Sequence, residues 1–232
     1  MIRPRRLEAL DPEAVRHRTP ARLWYAAYGS NMHLDRLTAY LAGGRPAGGL
    51  RSYPGCRDPR GPARTAPVML PGRLYFATES DVWTGGRAFY DPDASPDQGG
   101  RRAELPSRAY LLTLSQFSGI AAQEMGREPG EDLDLTEAVT HGRARIGPGR
   151  YETLVCAGLL DGDPVVTFTA PWSSQDITMN APSAAYLRHI AAGIVDSHGW
   201  SACRAAAYLA GCPGADGHWT AAEIAALLTD PS

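Results

Sequence analysis

One carboxylate falls where a helical pattern predicts an apolar side chain. In residues 114–125 (LSQFSGIAAQEM) the apolar positions recur at intervals of three and four, at Leu114, Phe117, Ile120 and Ala121. The next position on that stripe is Glu124. Burial of a carboxyl group without partners raises its pKa, which suits a general acid or base near neutral pH. The pattern fits a proton-transfer residue. It also fits a Glu at a helix end that turns to solvent or pairs with an arginine.

A turn of small polar residues follows the first apolar segment of the chain. Residues 23–28 are typical of a buried strand, Gly-Ser-Asn follows at 29–31, and a helical pattern covers 32–41. Such a turn places unpaired backbone N–H groups at the mouth of a sheet, where the helix dipole favours an anion. The same residues occur in ordinary strand-to-helix turns, in which Ser30 or Asn31 would cap the helix. Both interpretations stand on the residues alone.

Composition excludes several classes of function. The net charge of −2 gives no bulk attraction for nucleic acid or for an anionic membrane, so we expect neither partner. All 23 residues counted as Lys or Arg are arginine, which excludes a Schiff-base lysine and a phosphate-loop lysine. The absence of lysine, together with abundant Ala, Gly and Pro, is typical of a GC-rich bacterial genome.

The four cysteines are scattered and carry no Cys-x-x-Cys spacing, so neither a zinc site nor a disulfide framework is predicted. The basic N-terminal segment has no apolar core of a signal peptide, and no apolar run approaches the length that spans a bilayer. We therefore expect a cytoplasmic protein without a zinc site.

The remaining patterns predict strands first and helices last. Strands are expected at 73–79, 86–92 and 108–113, a hairpin around Asp161-Gly162, and loops over 43–67 and 126–149. Three helical patterns occupy the last fifty or so residues, the last with Thr220 and Glu223 at capping-box spacing. No linker divides two cores, which indicates one α+β domain.

The turn and the carboxylate belong to a longer series of motifs. YAAYGSNM (25–32) resembles the Tyr-Gly-Ser-Asn loop of the gamma-glutamylcyclotransferase family. GGRAFYDP (85–92) and RAYLLT (108–113) resemble the paired strands that precede that family's catalytic carboxylate. The Gln-Glu of AAQEMG (121–126) falls where the family has its catalytic Glu, and PSAAYLRHI (182–190) resembles its Pro-Ser-x-x-Tyr segment. The order of the motifs, more than any one of them, carries the resemblance.

The resemblance implies a fold and a reaction. The fold is a single α+β domain over 23–232, with a mixed, partly closed, barrel-like β-sheet surrounded by helices, after a flexible extension at 1–22. Family members cleave a γ-glutamyl amide without metal or cofactor: the glutamyl α-amine attacks its own side-chain carbonyl, which gives 5-oxoproline and a released amine. Because the nucleophile belongs to the substrate, positioning replaces a Ser or Cys nucleophile. One carboxylate can take the proton of the α-ammonium and return it to the departing amine.

The resemblance also implies site residues. Glu124 is the expected catalytic carboxylate, and substrate binding is assigned to the turn and to pocket tyrosines: Tyr28, Gly29, Ser30, Asn31, Met32, Tyr151 and Tyr186. The N–H groups of residues 29–32 would hold a substrate carboxylate or carbonyl oxygen. Tyr186 would offer its hydroxyl to a small-molecule γ-glutamyl substrate. As alternatives, Tyr151 and Tyr186 fit positions in the core. Three other carboxylates are expected in solvated positions: Glu79, Asp81 and Asp91.

The chain departs from the family pattern in three places, and these put glutathione in doubt as the substrate. Residues 51–67 and 126–149 are longer than the expected connections, and Ala170 stands where some relatives have a second Tyr. Two other functions stay open. One is a hydrolase or acyl transferase in which Glu124 activates water or another amine. The other is a non-catalytic protein that binds a small acidic ligand or a protein partner. An exposed Glu124 far from the turn would favour the non-catalytic function.

Overall fold

The computed structural model describes residues 2–10, 19–45, 51–95 and 103–229. Its strands are β1 (Arg22–Ala27), β2 (Arg64–Pro71), β3 (Arg73–Ala77), β4 (Arg87–Asp91), β5 (Glu104–Thr113), β6 (Arg143–Arg145), β7 (Thr153–Leu160) and β8 (Asp163–Thr169). Its helices are α1 (Leu34–Ala42), α2 (Leu114–Glu124), α3 (Thr136–His141), α4 (Ala184–His198), α5 (Ala202–Ala210) and α6 (Ala221–Ala226). A short 3-10 turn, Ser30–Met32, precedes α1.

Six strands form one mixed sheet in the order β2-β5-β1-β8-β7-β6. β1 runs parallel to β8, and the other neighbouring pairs are antiparallel. β3 and β4 form a separate antiparallel pair. The predicted α+β domain with a mixed sheet is confirmed. The sheet does not close into the expected barrel, since β2 and β6 remain its edges within the described residues.

Residues 2–10 lie along this sheet. The N–H of Arg5 donates to the carbonyl of Pro67 in β2 at 2.8 Å, and Glu8 exchanges hydrogen bonds of 2.8 and 2.9 Å with Leu159 in β7. One short segment therefore contacts strands near both ends of the sheet order. This part of the predicted flexible extension is held by main-chain hydrogen bonds, whereas residues 11–18 lie outside the described residues.

β1 occupies the interior of the sheet and delivers the turn to the site. Five of its six residues are buried, as an apolar run predicts for a strand covered on both faces. The indole N–H of Trp24 donates to the carbonyl of Leu160 at 2.9 Å, so its one polar atom is satisfied. The strand ends at Ala27, two residues before the glycine of the turn.

α2 follows β5 without a break and carries the carboxylate. A capping box starts it: Thr113 accepts from the N–H of Gln116 at 3.2 Å, and the Gln116 side chain accepts from the N–H of Thr113 at 3.0 Å. Phe117, Ile120 and Ala121 are fully buried, so the predicted apolar stripe is the packed face. With this face packed, Glu124 at the end of the helix reaches Asn31 in the turn after β1.

The hairpin and the C-terminal helices follow their sequence signals. Asp161 and Gly162 both have positive φ (53° and 80°), the geometry of the two-residue turn predicted between β7 and β8. α4 begins after Ser183, whose hydroxyl accepts from the N–H of Tyr186 at 3.3 Å. The capping box of Thr220 and Glu223 starts α6, as predicted.

Three elements lie where the sequence predicts loops, and a fourth extends beyond its predicted start. β2 begins inside the Arg- and Pro-rich segment, where an edge strand paired only with β5 tolerates the missing N–H of Pro67. α3 and β6 lie inside the predicted loop 126–149, and each is too short for a periodic signal. β5 starts four residues before the predicted position. Packing against the sheet, which a local pattern does not report, defines these elements.

Candidate active site

A cleft of about 790 Å³, including its open mouth, lies beside the end of β1. Among its lining residues are seven that the sequence analysis singled out: Tyr28, Gly29, Ser30, Asn31, Glu124, Tyr151 and Tyr186. They come from four separate parts of the chain: the connection from β1 to α1, the end of α2, the turn before β7 and the first turn of α4. The fold therefore brings the motifs of the sequence to one place.

Met32, the eighth predicted residue, does not line the cleft. Its side chain is fully buried, and a Cβ on Gly193 would lie 2.6 Å from its Cβ, so α4 packs directly against it. Its N–H donates to the carbonyl of Gly29 at 3.0 Å, and its carbonyl accepts from the Tyr110 hydroxyl at 2.9 Å. The prediction that this N–H binds substrate is wrong, because the N–H closes the 3-10 turn.

The turn keeps two backbone donors available. No hydrogen bond between described residues uses the N–H of Ser30 or Asn31. A Cβ on Gly29 would lie 3.1 Å from the Tyr186 hydroxyl, so a larger residue would crowd the cleft. The interpretation of Ser30 or Asn31 as a helix cap is wrong: α1 has His33 at its N-cap, without a side-chain cap. The small residues instead expose backbone to the cleft.

The Asn31 side chain connects the turn to the carboxylate. Its Nδ2 donates to Oε1 of Glu124 at 2.8 Å and lies 3.3 Å from the Tyr25 hydroxyl. Glu124 is half-buried and takes part in no ion pair between described residues, so it neither extends into solvent nor pairs with an arginine. The neighbouring Gln123 fixes the helix end by donating to the carbonyls of Tyr40 and Gly119, each at 3.0 Å.

Three tyrosines face the same space with different hydrogen bonds. The Tyr28 hydroxyl donates to the carbonyl of Phe168 at 2.8 Å, and that of Tyr151 donates to the carbonyl of Ala88 at 3.1 Å. Tyr186 accepts from the N–H of Ala88 at 3.4 Å, and no hydrogen bond between described residues uses its own proton. Burial raises the pKa of all three phenols, so each stays protonated. Tyr186 can therefore donate to a ligand.

Arg36 is a lining residue that the sequence analysis missed. It lies in α1 and is only 4% exposed. Its Nη2 donates to the Tyr53 hydroxyl at 2.6 Å, and its Nε lies 3.4 Å from Oγ of Ser30. Its guanidinium carbon lies 5.0 Å from the centre of the Tyr53 ring and 5.2 Å from that of Trp83. A buried cation thus stands in the same cleft as the carboxylate.

Further charges surround the mouth. Arg87 pairs with Asp81, Nη2 to Oδ2, at 2.7 Å, and Arg51 and Arg150 also line the cleft. With Arg36, the lining carries four arginines against the two carboxylates of Asp81 and Glu124. The local charge is positive although the chain as a whole is slightly acidic. This favours an anionic ligand.

Of the three carboxylates predicted to be solvated, Glu79 and Asp81 are exposed and Asp91 is buried. Asp91 is 4% exposed and accepts from the N–H and hydroxyl of Ser174, at 2.8 and 2.7 Å, so it holds a loop in place. Glu79 is exposed and accepts from the N–H of Gly85 at 2.6 Å. The Asp81 side chain is largely exposed and pairs with Arg87.

The described residues contain neither a metal-binding cluster nor a membrane-spanning helix. No group of three or more His, Cys, Asp or Glu side chains is arranged to hold a metal ion in that part of the chain. Among its helices, none combines the length and the apolar character needed to cross a membrane.

The chain has limited similarity to known proteins. No protein-family model matches the chain. Histone deacetylase 5 of Arabidopsis thaliana is 31% identical over 203 residues, which is 81% of this chain and 30% of that protein. The chain thus spans less than a third of this curated relative, whose name describes the whole protein.

Two solved structures resemble the fold. One is an uncharacterized protein from Homo sapiens, and the other is a gamma-glutamyl cyclotransferase. The alignments cover 91% and 90% of this chain, and 100% and 98% of the two neighbours, at 16% identity and a TM-score of 0.46 in each case. Similarity of this strength carries no functional conclusion by itself. The function is therefore argued from the geometry of the cleft.

Proposed function

We propose that this chain is a gamma-glutamyl cyclotransferase that cleaves a γ-glutamyl amide to 5-oxoproline and a free amine. The observation that carries the proposal is the 2.8 Å hydrogen bond between Asn31 and Glu124, residues 93 positions apart in the chain. It joins two of the motifs that carry the resemblance to that family. This reaction needs a carboxylate in the cleft and backbone N–H donors beside it, and Glu124 and the turn supply both.

In the proposed reaction the substrate supplies its own nucleophile. Glu124 accepts a proton from the α-ammonium group, and the freed α-amine forms a bond to the side-chain carbonyl carbon. The amide C–N bond then breaks as the departing nitrogen takes the proton from Glu124. Glu124 next accepts the second proton, which the ring nitrogen loses as it becomes the lactam N–H, and passes it to the released amine, which leaves as an ammonium group. Five-membered ring closure gives 5-oxoproline, and Glu124 returns to its starting charge. No water or external oxidant enters the balance.

The backbone donors and Tyr186 have complementary roles in this reaction. The N–H groups of Ser30 and Asn31, which make no hydrogen bond between described residues, would bind the carbonyl oxygen as negative charge develops on it. The unused proton of Tyr186 offers a further donor to the substrate. Asn31 also orients the carboxyl group of Glu124 through its side-chain amide. Each role follows from a hydrogen-bonding group that has no other partner or that contacts Glu124.

The test is mass spectrometry of products after incubation with a panel of γ-glutamyl amines and dipeptides. We expect 5-oxoproline from the wild-type chain and from Glu128→Gln, which removes an exposed carboxylate four residues further on, but not from Glu124→Gln. Glutamate as the product would replace the cyclotransferase by a hydrolase. Neither product across the panel, or full activity of Glu124→Gln, would contradict the proposed function.

A further inference from the structure

Arg36 carries a buried guanidinium, one nitrogen of which has no hydrogen-bond partner among the described residues. Nη2 is satisfied by the Tyr53 hydroxyl at 2.6 Å and Nε approaches Oγ of Ser30 at 3.4 Å, but Nη1 is buried without any hydrogen bond. A buried donor that is left unsatisfied costs free energy comparable to a lost hydrogen bond, and more when it is charged. Because Arg36 lines the cleft, a ligand in the cleft can satisfy it.

Arg36 also lacks a counter-ion within the described residues. None of the ion pairs between those residues includes it, whereas Arg87, the other buried arginine of the cleft, pairs with Asp81. The rings of Tyr40, Tyr53 and Trp83 lie 5.0 to 5.5 Å from its guanidinium carbon and supply the favourable contacts that it has. Aromatic faces hold the guanidinium in position without neutralising its charge.

We propose that Arg36 forms a carboxylate-binding subsite and that, in the proposed cyclotransferase reaction, it binds the α-carboxylate of the γ-glutamyl group. The inference rests on the proposed function for the identity of the ligand. Guanidinium groups bind carboxylates through charge-assisted, often bidentate hydrogen bonds, and Nη1 is the free member of this fork.

Binding of the α-carboxylate at Arg36 also determines which substrate atom the backbone N–H groups of the turn bind. If the α-carboxylate binds Arg36, the N–H groups of Ser30 and Asn31 are left for the carbonyl oxygen that is attacked. The α-carboxylate and the α-amine share one carbon atom, so fixing the carboxylate fixes the direction from which the amine attacks. Arg36 would thus set substrate selection and reaction geometry together.

The contrasting role for Arg36 is structural: it would brace the turn through Ser30 and the wall through Tyr53. A structural brace would change turnover of every substrate alike. A carboxylate anchor would change only substrates that carry the carboxylate. The experiment therefore compares a γ-glutamyl methylamide with its α-carboxamide analogue, in which the charge is removed and the shape is nearly kept.

Wild-type enzyme should prefer the carboxylate over the carboxamide in kcat/KM. In Arg36→Lys, which keeps the charge but loses the fork, we expect kcat/KM for the carboxylate to fall about 10- to 100-fold, the range for one charged hydrogen bond, with little change for the carboxamide. The matched control is Arg22→Lys, which changes a surface arginine in β1 and should leave kcat/KM for both substrates at the wild-type value. Tyr53→Phe removes the acceptor of Nη2 and should give a smaller loss of the same kind.

Calorimetry separates this inference from the proposed function. Glutarate should bind wild-type protein about tenfold or more tightly than glutaramide, and the difference should vanish in Arg36→Lys, whether or not turnover occurs. Turnover to 5-oxoproline with equal preference for carboxylate and carboxamide would overturn the subsite and leave the function. A failure to form 5-oxoproline combined with Arg36-dependent glutarate binding would overturn the reaction and leave the subsite. Glutarate binding unaffected by Arg36→Lys would overturn the subsite outright.

Discussion

Two glutamates near the cleft have opposite environments. Glu152 is 6% exposed, forms an ion pair with Arg127, and accepts from the N–H of Gly149, so its charge is neutralised and its oxygens are bonded. Glu124 is half-buried and has one amide donor, Asn31, and no ion pair among the described residues. Glu152 fixes the segment before β7, whereas no cation among the described residues neutralises Glu124.

The arginines repeat the contrast. Arg87 has a carboxylate partner in Asp81. Within the described part of the chain, Arg36 instead has aromatic neighbours, two hydroxyl contacts and one nitrogen without a hydrogen bond. Charges that serve the fold come in pairs here. Glu124 and Arg36 line the cleft without an ion pair between described residues, and a zwitterionic substrate would supply a partner for each. A buried charge without a partner is costly unless a ligand repays it.

The largest effect expected from this contrast is on catalysis at Glu124. Glu124→Gln keeps the shape and the contact with Asn31 but removes the proton acceptor, so kcat should fall about 10³-fold, near the middle of the range for general acid–base groups. Its melting temperature should stay close to that of the wild type. Steady-state assay and thermal melting of the same preparation check both points. A large loss of stability would place Glu124 with Glu152 instead.

The reciprocal variant is Glu152→Gln. Removing the charge leaves the Arg127 guanidinium unpaired, and a bond to the N–H of Gly149 is weakened. We expect the free energy of unfolding to fall by about 2 kcal/mol, with kcat changed much less than in Glu124→Gln. Urea titration followed by circular dichroism measures the first quantity. If activity were lost without a change in the unfolding midpoint, the division into structural and functional carboxylates would fail.

Tyr186→Phe tests the tyrosine whose proton is free. The hydroxyl accepts only the long bond from Ala88, so its loss should affect stability little, while kcat/KM should fall about tenfold through the lost donor to the substrate. Tyr28→Phe is the comparison, because its hydroxyl is already committed to the carbonyl of Phe168. That variant should lose stability rather than specificity. The reverse pattern would exchange the two roles.

The smallest effect concerns His189, which packs against Trp83, a lining residue of the cleft. Burial, followed by the charges of His33, Arg36 and Arg188, lowers its pKa from 6.5 to about 4. The unfolded chain therefore binds a proton at a higher pH than the folded chain. The free energy of unfolding should be unaffected by His189 above pH 6.5 and should fall as the pH drops from 6.5 toward 4.

We expect this loss to be about 1 kcal/mol, because the ring keeps partial contact with solvent, which screens its neighbours. His189→Gln should flatten that part of the pH dependence. His141→Gln, at an exposed position, is the control and should leave it unchanged. Denaturant midpoints at several pH values give the comparison. An unchanged slope in His189→Gln would show that the ring is not held neutral.

Sequence patterns predicted the parts of the cleft that are marked by a local periodicity or by a turn motif. The stripe of Phe117, Ile120 and Ala121 identified Glu124, and the residues after β1 identified the turn. The same test on α1 would have found Arg36, since it lies on the buried face with Leu37 and the residues one turn later.

Other parts of the site could not be predicted from local order. Tyr53 lies in a segment read as loop, and it reaches Arg36 across 17 residues through the folding of that segment. Trp83 comes from the connection between β3 and β4, and no periodicity marks it as a neighbour of α1. Met32 shows the opposite case: sequence proximity to the turn predicted a binding role, but the geometry of a 3-10 turn uses its N–H. Backbone hydrogen bonds and tertiary packing decide such cases.

The attachment of residues 5 and 8 to the sheet has a consequence for solubility. Edge strands with unpaired N–H and C=O groups are templates for association with another chain. Arg5 occupies one acceptor on β2, and Glu8 pairs with Leu159 beyond the end of the short β6. The N-terminal segment thus covers part of both open margins of the sheet. Deleting it would uncover these groups and promote intermolecular β-pairing and aggregation, even with the cleft unchanged.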